Sequence, residues 1–337
     1  MKAIWAQGYG NYEVLELKEV AIPPISEHEV LVKVRASVAT TADTMMLQGK
    51  PWFGRMFTGL RKPKHPITGT AFSGVISKVG PGVKSFRDGD QVFGETTLGF
   101  GTHAEFVTVP EKGVLLKKPE TISHNDATTF CDGPLTAWNF LKELGRLKPG
   151  QNVLINGASG SLGTAAIQLA KYLGADVTGV CSAVNMGLVK SLGADSVINY
   201  QKEDFTKSSK RFDIIFDTVG KTTFQSVKPL LKKNGLYLSP VLKPSLLFQM
   251  AISNISNGKK AKFAATGLKP PHELRYMLMK LVEIFNSGKL KIVFDRQYPL
   301  EKVSKAFDYV SKGHKKGNVV IFVESEKENN DETTMIE

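Results

Sequence analysis

The chain has 337 residues, 42% hydrophobic and 9% aromatic, which is ordinary globular composition with enough length for two cores. Two cysteines, Cys131 and Cys181, exclude a disulfide framework and suit a reducing, cytoplasmic setting. No apolar run approaches the roughly 18 residues of a membrane span, and the opening MKAIWAQGYGNYEVLELKE lacks a secretory apolar core.

The formal charge of +12 is unevenly placed. Residues 324–337 hold six acids against one lysine, which leaves the preceding chain at +17. That tail has no apolar period and reads as a disordered acidic extension. The basic body suits a polyanionic cofactor. Nucleic acid is a poor fit, because the lysines lack interleaved aromatics on which bases stack; peripheral contact with an anionic membrane stays open.

In chain order, the first 110 residues give short period-two runs, KAIWAQ, EVLVKVRAS, FSGVISKVG, GDQVFGE and AEFVTVP, separated by glycine and proline. These predict a mostly antiparallel β module. Residues 50–66, KPWFGRMFTGLRKPKHP, show no period and carry six basic side chains counting His65, as a surface excursion beside a ligand entrance would. From about residue 124 the pattern changes. A helix over NDATTFCDGPLTAWNFLKELG leads into strand NVLIN, helix LGTAAIQLAKYLG, strand DVTGVC, helix AVNMGLVKSLG, strand SVINY, strand FDIIFDTV, helix FQSVKPLL and strand LYLSP. Alternating helices and near-continuous apolar strands predict a doubly wound parallel sheet. After residue 265, a helix over HELRYMLMKLVEIFNSG, strand-like KIVFDRQYPL, helix KVSKAFDYV and strand NVVIFV complete the β module. The boundaries are therefore 1–124, an inserted nucleotide domain over 125–265, a returning segment over 266–323, and the tail. Segment 240–265 has no readable pattern.

Between NVLIN and the following helix stands NGASGSLGTAA, with Gly157, Gly160 and Gly163 three apart, which is not the usual dinucleotide spacing. The context is nevertheless that of a phosphate site. A strand feeding a helix leaves free amides at the helix start, where a diphosphate gains hydrogen bonds and the favourable end of the dipole. Gly157 supplies the turn, Gly160 admits the phosphates, and Gly163 lets the helix lie close to the sheet. A glycine-rich loop before any parallel-sheet helix is the bland alternative. No Gly-Lys-Ser/Thr closes the segment, so a kinase-type loop is disfavoured.

The end of the second strand reads VTGVCSAVN, and no acid occurs between Asp176 and Asp195. An acid would repel a 2′-phosphate, whereas Ser182 and Asn185 can donate to it, so NADPH is favoured over NADH. Tyr200 can lie beside the phosphorylated ribose or serve as an edge residue. Asp217 either joins the ligand site or caps the turn that follows it. For metal, His65 and Cys131 could meet in space but lack a third ligand; His65 reads as solvated and Cys131 as apolar filler, so no metal is expected.

The stretches GTAFSGVISKVGPGVKSFRDGDQVFG, LTAWNFL, NVLINGASGSLGTAAIQLAKYLGADVTGVCS, NMGLVKSLGADSVINY and DRQYPLEKVSKAFDYVSKGHKKGNVVI together resemble the zinc-free quinone oxidoreductase branch of the medium-chain dehydrogenase/reductase superfamily, over about residues 1–323. The resemblance implies a Rossmann-type doubly wound parallel sheet inserted into a β-rich GroES-like catalytic domain, with the active cleft between them. It implies NADPH passing hydride to a quinone, enone or alkenal, a small-molecule electrophile, in a homodimer without metal. By likeness Gly160, Ser161 and Leu162 contact the diphosphate, Ser182 and Tyr200 read the phosphorylated ribose, and Thr136 lies against the nicotinamide. Two departures stand out. VATTAD puts Thr40 where the family often has asparagine in VNPxD, which makes Thr40 the candidate donor to the substrate oxygen. GHKKGN puts Asn318 where GHxxGK has lysine. The VATTAD departure and the basic body keep open an NADPH-binding protein of vestigial turnover acting as a redox-sensitive partner; a zinc-type alcohol dehydrogenase is a third reading, which metal analysis would separate.

Overall fold

A computed structural model describes residues 1–255 and 258–323. The acidic tail expected to be disordered lies outside the described residues. The chain divides into two compact units. The first takes Met1–Thr129, Arg296–Gly313 and the described residues from Val319 onward; the second takes Phe130–Asp295 and His314–Asn318.

The first unit is the antiparallel β module. Strands β1 (Lys2–Ala6) and β2 (Leu15–Glu19) form a two-stranded sheet. Then come β3 (Glu29–Val38), helix α1 (Thr41–Leu47), the short α2 (Arg55–Thr58), β4 (Ala71–Val79), β5 (Gln91–Glu95), β6 (Phe106–Pro110), β7 (Val114–Lys117) and α3 (His124–Thr129). Alternation along β3 and β4 sends Val30, Val32, Val34, Phe72 and Ile76 into one core with Val92 and Leu115. The excursion over 50–66 folds as a 3-10 turn, Trp52–Gly54, running into α2.

The second unit opens with α4 (Gly133–Trp138). The single helix expected over 124–145 is broken between α3 and α4, since Gly133 and Pro134 begin a new helix and proline lacks the amide a continuous helix would need. A π-helical turn, Asn139–Leu144, follows, closed by the Gly145 amide on the Phe140 carbonyl at 2.8 Å. Next come β8 (Asn152–Asn156), α5 (Ser161–Tyr172), β9 (Asp176–Cys181), α6 (Met186–Ser191), β10 (Ser196–Asn199), β11 (Phe212–Asp217), α7 (Phe224–Val227), β12 (Leu231–Leu238), α8 (Pro244–Ile255), β13 (Lys260–Lys262) and α9 (Pro271–Asn286). All pairs in the sheet are parallel, in the order β10-β9-β8-β11-β12-β13. The chain winds outward both ways from β8, so the carboxyl end of β8 is the topological switch point where ligands of such sheets gather.

The unpatterned segment 240–265 supplies α8 and β13. The three residues of β13, KAK, add an edge strand without an apolar signature. Residues 266–295, expected to return to the β module, stay in the second unit. There the Phe285 ring of α9 meets Phe130 edge-on at 5.4 Å, and the Gln168 side chain holds the backbone of Lys291 through both its amide groups. The closing elements β14 (Phe294–Pro299), α10 (Val303–Ser311) and β15 (Asn318–Phe322) complete the first unit, with β15 antiparallel to β3. Phe307, Val303 and Val310 of α10 pack there with Ile4, Leu47 and Ile321.

Candidate functional site

The three glycines of NGASGSLG have three different reasons to be there. Gly157 sits at φ +80°, and a Cβ on it would come 2.4 Å from Val219 Cγ2 and 2.5 Å from Thr218 Oγ1. A Cβ on Gly163 would come 2.1 Å from the Gly157 carbonyl oxygen. Those two permit the turn and the close approach of α5 to it. Gly160 differs: a Cβ there would meet nothing nearer than the Gly157 oxygen at 3.7 Å, so the position is open. Gly160 is also the N-cap of α5 and offers no side chain to its amides, which leaves the first turn, Ser161 to Gly163, to be satisfied from outside. A diphosphate fits this cradle: bare amides, the helix dipole, and no side chain in the way.

The Ser161 hydroxyl faces inward, its single proton shared between Asp132 Oδ2 at 2.6 Å and Asn318 Oδ1 at 2.8 Å. A phosphate at Ser161 would therefore meet its backbone amide and not its hydroxyl. Asn318 in turn donates to the Val293 carbonyl at 3.1 Å, and the Gly317 amide donates to the Ser159 carbonyl at 2.9 Å. The segment His314–Asn318 is thus stitched to the glycine turn. Lys315 lies within 4.0 Å of Asp132 with its side chain only 10% exposed. Thr136 is half-buried on α4, whose Gly133 approaches Ser161 so closely that a Cβ would come 2.5 Å from the Ser161 carbonyl oxygen.

At the carboxyl end of β9, Ser182 stands at the N-cap position of the short turn Ala183–Asn185, with no side-chain bond to its amides. Asn185 is buried, and its amide nitrogen donates to Ser159 Oγ at 3.0 Å and Ser182 Oγ at 3.2 Å. Both N–H groups of Asn185 join β9 to the glycine turn, whereas the sequence pointed to them as donors to a phosphate. Ser159, not singled out from the sequence, enters the site through that bond. Each serine accepts from Asn185 and keeps its own hydroxyl proton to give. Tyr200 is exposed and follows β10; its amide donates to the Cys181 carbonyl at 3.1 Å, which sets it beside the end of β9. The next acid along the chain, Asp195, is held by Lys171 and the Val177 amide near the start of β9, not at Ser182.

Asp217, fully buried at the end of β11, proves to be the turn's organiser. Its carboxylate accepts from Asn156 Nδ2, the amides of Val219, Gly220 and Thr222, and the hydroxyls of Thr222 and Tyr237. Burial and the Asp217 charge push the Tyr237 phenol upward, so it stays a donor. This network fixes the loop that packs on Gly157.

In the first unit, Thr40 caps α1. Its hydroxyl donates to Asp43 Oδ2 at 2.7 Å and accepts from the Asp43 amide at 2.9 Å. The proton expected for a substrate oxygen is therefore given to Asp43, a bond additional to the capping box that Thr40 and Asp43 form through their backbone amides. Tyr9, Asp43, Thr58, His65, Thr68 and Phe100 line a pocket in this unit. Thr68 Oγ1 bonds His103 Nδ1 at 2.8 Å; His103 Nε2 faces the Val38 carbonyl at 3.0 Å and must carry the hydrogen, so Nδ1 accepts from Thr68. Burial lowers His103 to about 4, and it is neutral. Among the described residues, no three His, Cys, Asp or Glu side chains gather as a metal ion would require. His65 is exposed and Cys131 is buried in the other unit.

Comparison with known proteins agrees with this architecture. Residues 26–120 match an alcohol dehydrogenase GroES-like domain, and residues 192–321 match a zinc-binding dehydrogenase family. The chain is 34% identical to the 2-methylene-furan-3-one reductase of Solanum lycopersicum, over 95% of this chain and 79% of that protein. It is 30% identical to the chloroplastic NADPH-dependent alkenal/one oxidoreductase of Arabidopsis thaliana, over 96% and 79%. The quinone oxidoreductase of Coxiella burnetii superposes with a TM-score of 0.86 at 26% identity, over 96% of this chain and 99% of that one.

Proposed function

The chain belongs to the zinc-free quinone oxidoreductase branch of the medium-chain dehydrogenase/reductase superfamily, and from that premise we propose that it is an NADPH-dependent reductase of quinones or α,β-unsaturated carbonyls. NADPH, when bound, supplies the hydride. The observation that carries the reading is the open face at Gly160 over the uncapped first turn of α5.

In this reading the amides of Ser161, Leu162 and Gly163 take the diphosphate. Gly157 and Gly163 shape the turn beneath it. The hydroxyl protons of Ser182 and Ser159 point to acceptor oxygens of a 2′-phosphorylated ribose, with Tyr200 beside it, while Asn185 positions both serines. Thr136 on α4 takes the nicotinamide side, by family likeness. Thr40 orders α1 through Asp43, and the proton that completes reduction of the acceptor comes from solvent. Catalysis then rests on holding the two reactants at contact distance, without a dedicated side-chain acid.

Following NADPH absorbance with a panel of quinones and enones tests the reading. Oxidation well above background with at least one acceptor is expected; tight NADPH binding with no oxidation by any acceptor would reduce the chain to a cofactor-binding protein. A cytoplasmic homodimer is the corresponding assembly, and sedimentation at several concentrations checks it.

A further inference from the structure

The excursion over residues 50–66 carries an exposed apolar face. Trp52, Met56, Phe57 and Leu60 are 78%, 73%, 73% and 72% exposed, four large apolar side chains within nine residues. Such a cluster on a water-facing surface marks a contact made with something else.

The backbone beneath it is braced. The Arg55 guanidinium lies 4.4 Å from the Tyr9 ring and donates to the carbonyls of Gln48 and Gly49 at 3.3 and 3.2 Å. The Tyr9 hydroxyl donates to the Gly59 carbonyl and bonds Thr58 Oγ1 at 2.9 Å, and the Lys64 amide closes on Thr58 O at 2.7 Å. The apolar side chains are therefore presented outward from a fixed support. Around them Lys50, Arg61, Lys62 and Lys64 are exposed, and no Asp or Glu occurs in the chain between Asp43 and Asp88.

We propose that this excursion docks the protein on an anionic lipid surface, with Trp52, Met56, Phe57 and Leu60 entering the headgroup–acyl boundary and Lys50, Arg61, Lys62 and Lys64 binding lipid phosphates. Apolar wedges ringed by cations are what an interfacial anchor requires, since burial and headgroup attraction then act together. The charge decides against a second copy of this chain on the same patch: two-fold pairing would set these cations against their own duplicates. Nucleic acid is disfavoured by Met56 and Leu60, which offer no stacking face. The segment's Thr58, Pro63 and His65 line the first unit's pocket, so docking patch and pocket share one stretch of chain.

The test uses the full chain and two kinds of vesicle, phosphatidylcholine alone and phosphatidylcholine with about 30% phosphatidylserine. Flotation should show binding to the anionic vesicles only, weakened severalfold when salt rises from about 0.1 to about 0.5 M. Tryptophan emission should shift to the blue on binding, and Trp52→Tyr should remove the shift, because Trp138 is buried already and the half-buried Trp5 lies on β1, outside the excursion. The pairs Trp52→Ser with Phe57→Ser, and Lys62→Glu with Lys64→Glu, should each lower vesicle partition about tenfold or more at unchanged Tm. Wild-type protein that ignores anionic vesicles, or binds neutral ones equally, or binds without a blue shift, overturns the proposal. So do folded variants that bind as the wild type does, and so does concentration-dependent self-association lost in the Trp52/Phe57 variant without vesicle binding.

Discussion

The Ser161 hydroxyl donates to Asn318 Oδ1 at 2.8 Å across 157 residues of sequence, and Asn318 passes the tether on to the Val293 carbonyl. Asn318, in the GHKKGN stretch, is here a neutral pin for the first turn of α5. Asn318→Ala removes the acceptor for Ser161 and the donor to Val293, a loss of about 1–3 kcal/mol at about 1 kcal/mol per neutral bond plus the cost of any buried group left bare. NADPH affinity should fall with it, about tenfold, because His314–Asn318 is stitched to the glycine turn. Ser161→Ala keeps the Val293 bond but loses the Asp132 bond as well as the one to Asn318, so its Tm should fall by a similar amount while its NADPH affinity falls less. Thermal melts and NADPH calorimetry on the two variants check this; an affinity loss equal to that of Asn318→Ala would mean that the Val293 tether contributes nothing to cofactor binding.

Ser182→Asp is expected to weaken NADPH about a hundredfold and NADH no more than a few-fold. A carboxylate set near a 2′-phosphate repels it by several kcal/mol at the effective dielectric of a half-exposed site, whereas a 2′-hydroxyl can donate to it. Titration of both nucleotides by calorimetry decides. Equal loss for both would remove Ser182 from the ribose phosphate and leave Asn185 a purely structural bridge between β9 and the glycine turn.

Gly160→Ala and Gly163→Ala should fail in different ways. At Gly163 the added methyl overlaps the Gly157 carbonyl, and forcing α5 away from its turn costs about 1–3 kcal/mol of stability. At Gly160 the methyl enters open space, so Tm should change little, while NADPH affinity falls about tenfold or more as the methyl takes up room meant for phosphate. Melting and cofactor titration of the pair separate packing glycine from binding glycine. A Gly160→Ala protein that binds NADPH normally would place the diphosphate elsewhere.

What could be read from the sequence followed the strength of each local pattern. The apolar strands NVLIN and FDIIFD and the glycine turn announced the parallel sheet and its switch point, because fully buried strands and a strand–glycine–helix junction have few other uses. The edge strand KAK gave no apolar signal, since half of its surroundings is solvent. The break before α4 lies at Gly133–Pro134, a local signal that the apolar run continuing across it conceals. Hydrogen-bond commitments were the least legible part. Residue type made Thr40 and Asn185 plausible donors, but only coordinates show that Asp43, Ser159 and Ser182 already take those protons.

Asp217 accepts from backbone amides on both of its oxygens, so no single amide rotamer can replace it. Asp217→Asn would turn an N–H toward donors and leave at least one pair facing each other in a buried site. A loss of about 3 kcal/mol or more is expected, as for other buried charges whose partners are stranded. Cofactor affinity should drop as well, since the loop after β11 packs on Gly157. Thermal melts with and without NADPH measure both; an unchanged Tm would mean that the charge on Asp217 contributes nothing to the loop's stability.

Stability of the first unit should fall as pH drops below about 6.5, before most carboxylates titrate. His103 is fully buried, its pKa lowered to about 4 by burial, and the Val38 carbonyl and Thr68 hydroxyl hold it as the neutral tautomer. Between pH 6.5 and about 4 the unfolded chain binds a proton that the folded chain refuses, so stability is complete above 6.5 and lost progressively down to about 4. The full effect is about 3 kcal/mol. His124, lowered in the same direction by burial and by the charges of Lys118 and Arg35, adds a smaller share because it is only partly covered. His103→Asn keeps a donor for Val38 and cannot titrate. Its Tm should start lower at pH 7 and fall less between about pH 6.5 and 5 than that of the wild type. Parallel slopes for the two proteins would show that His103 is not the group holding the proton out.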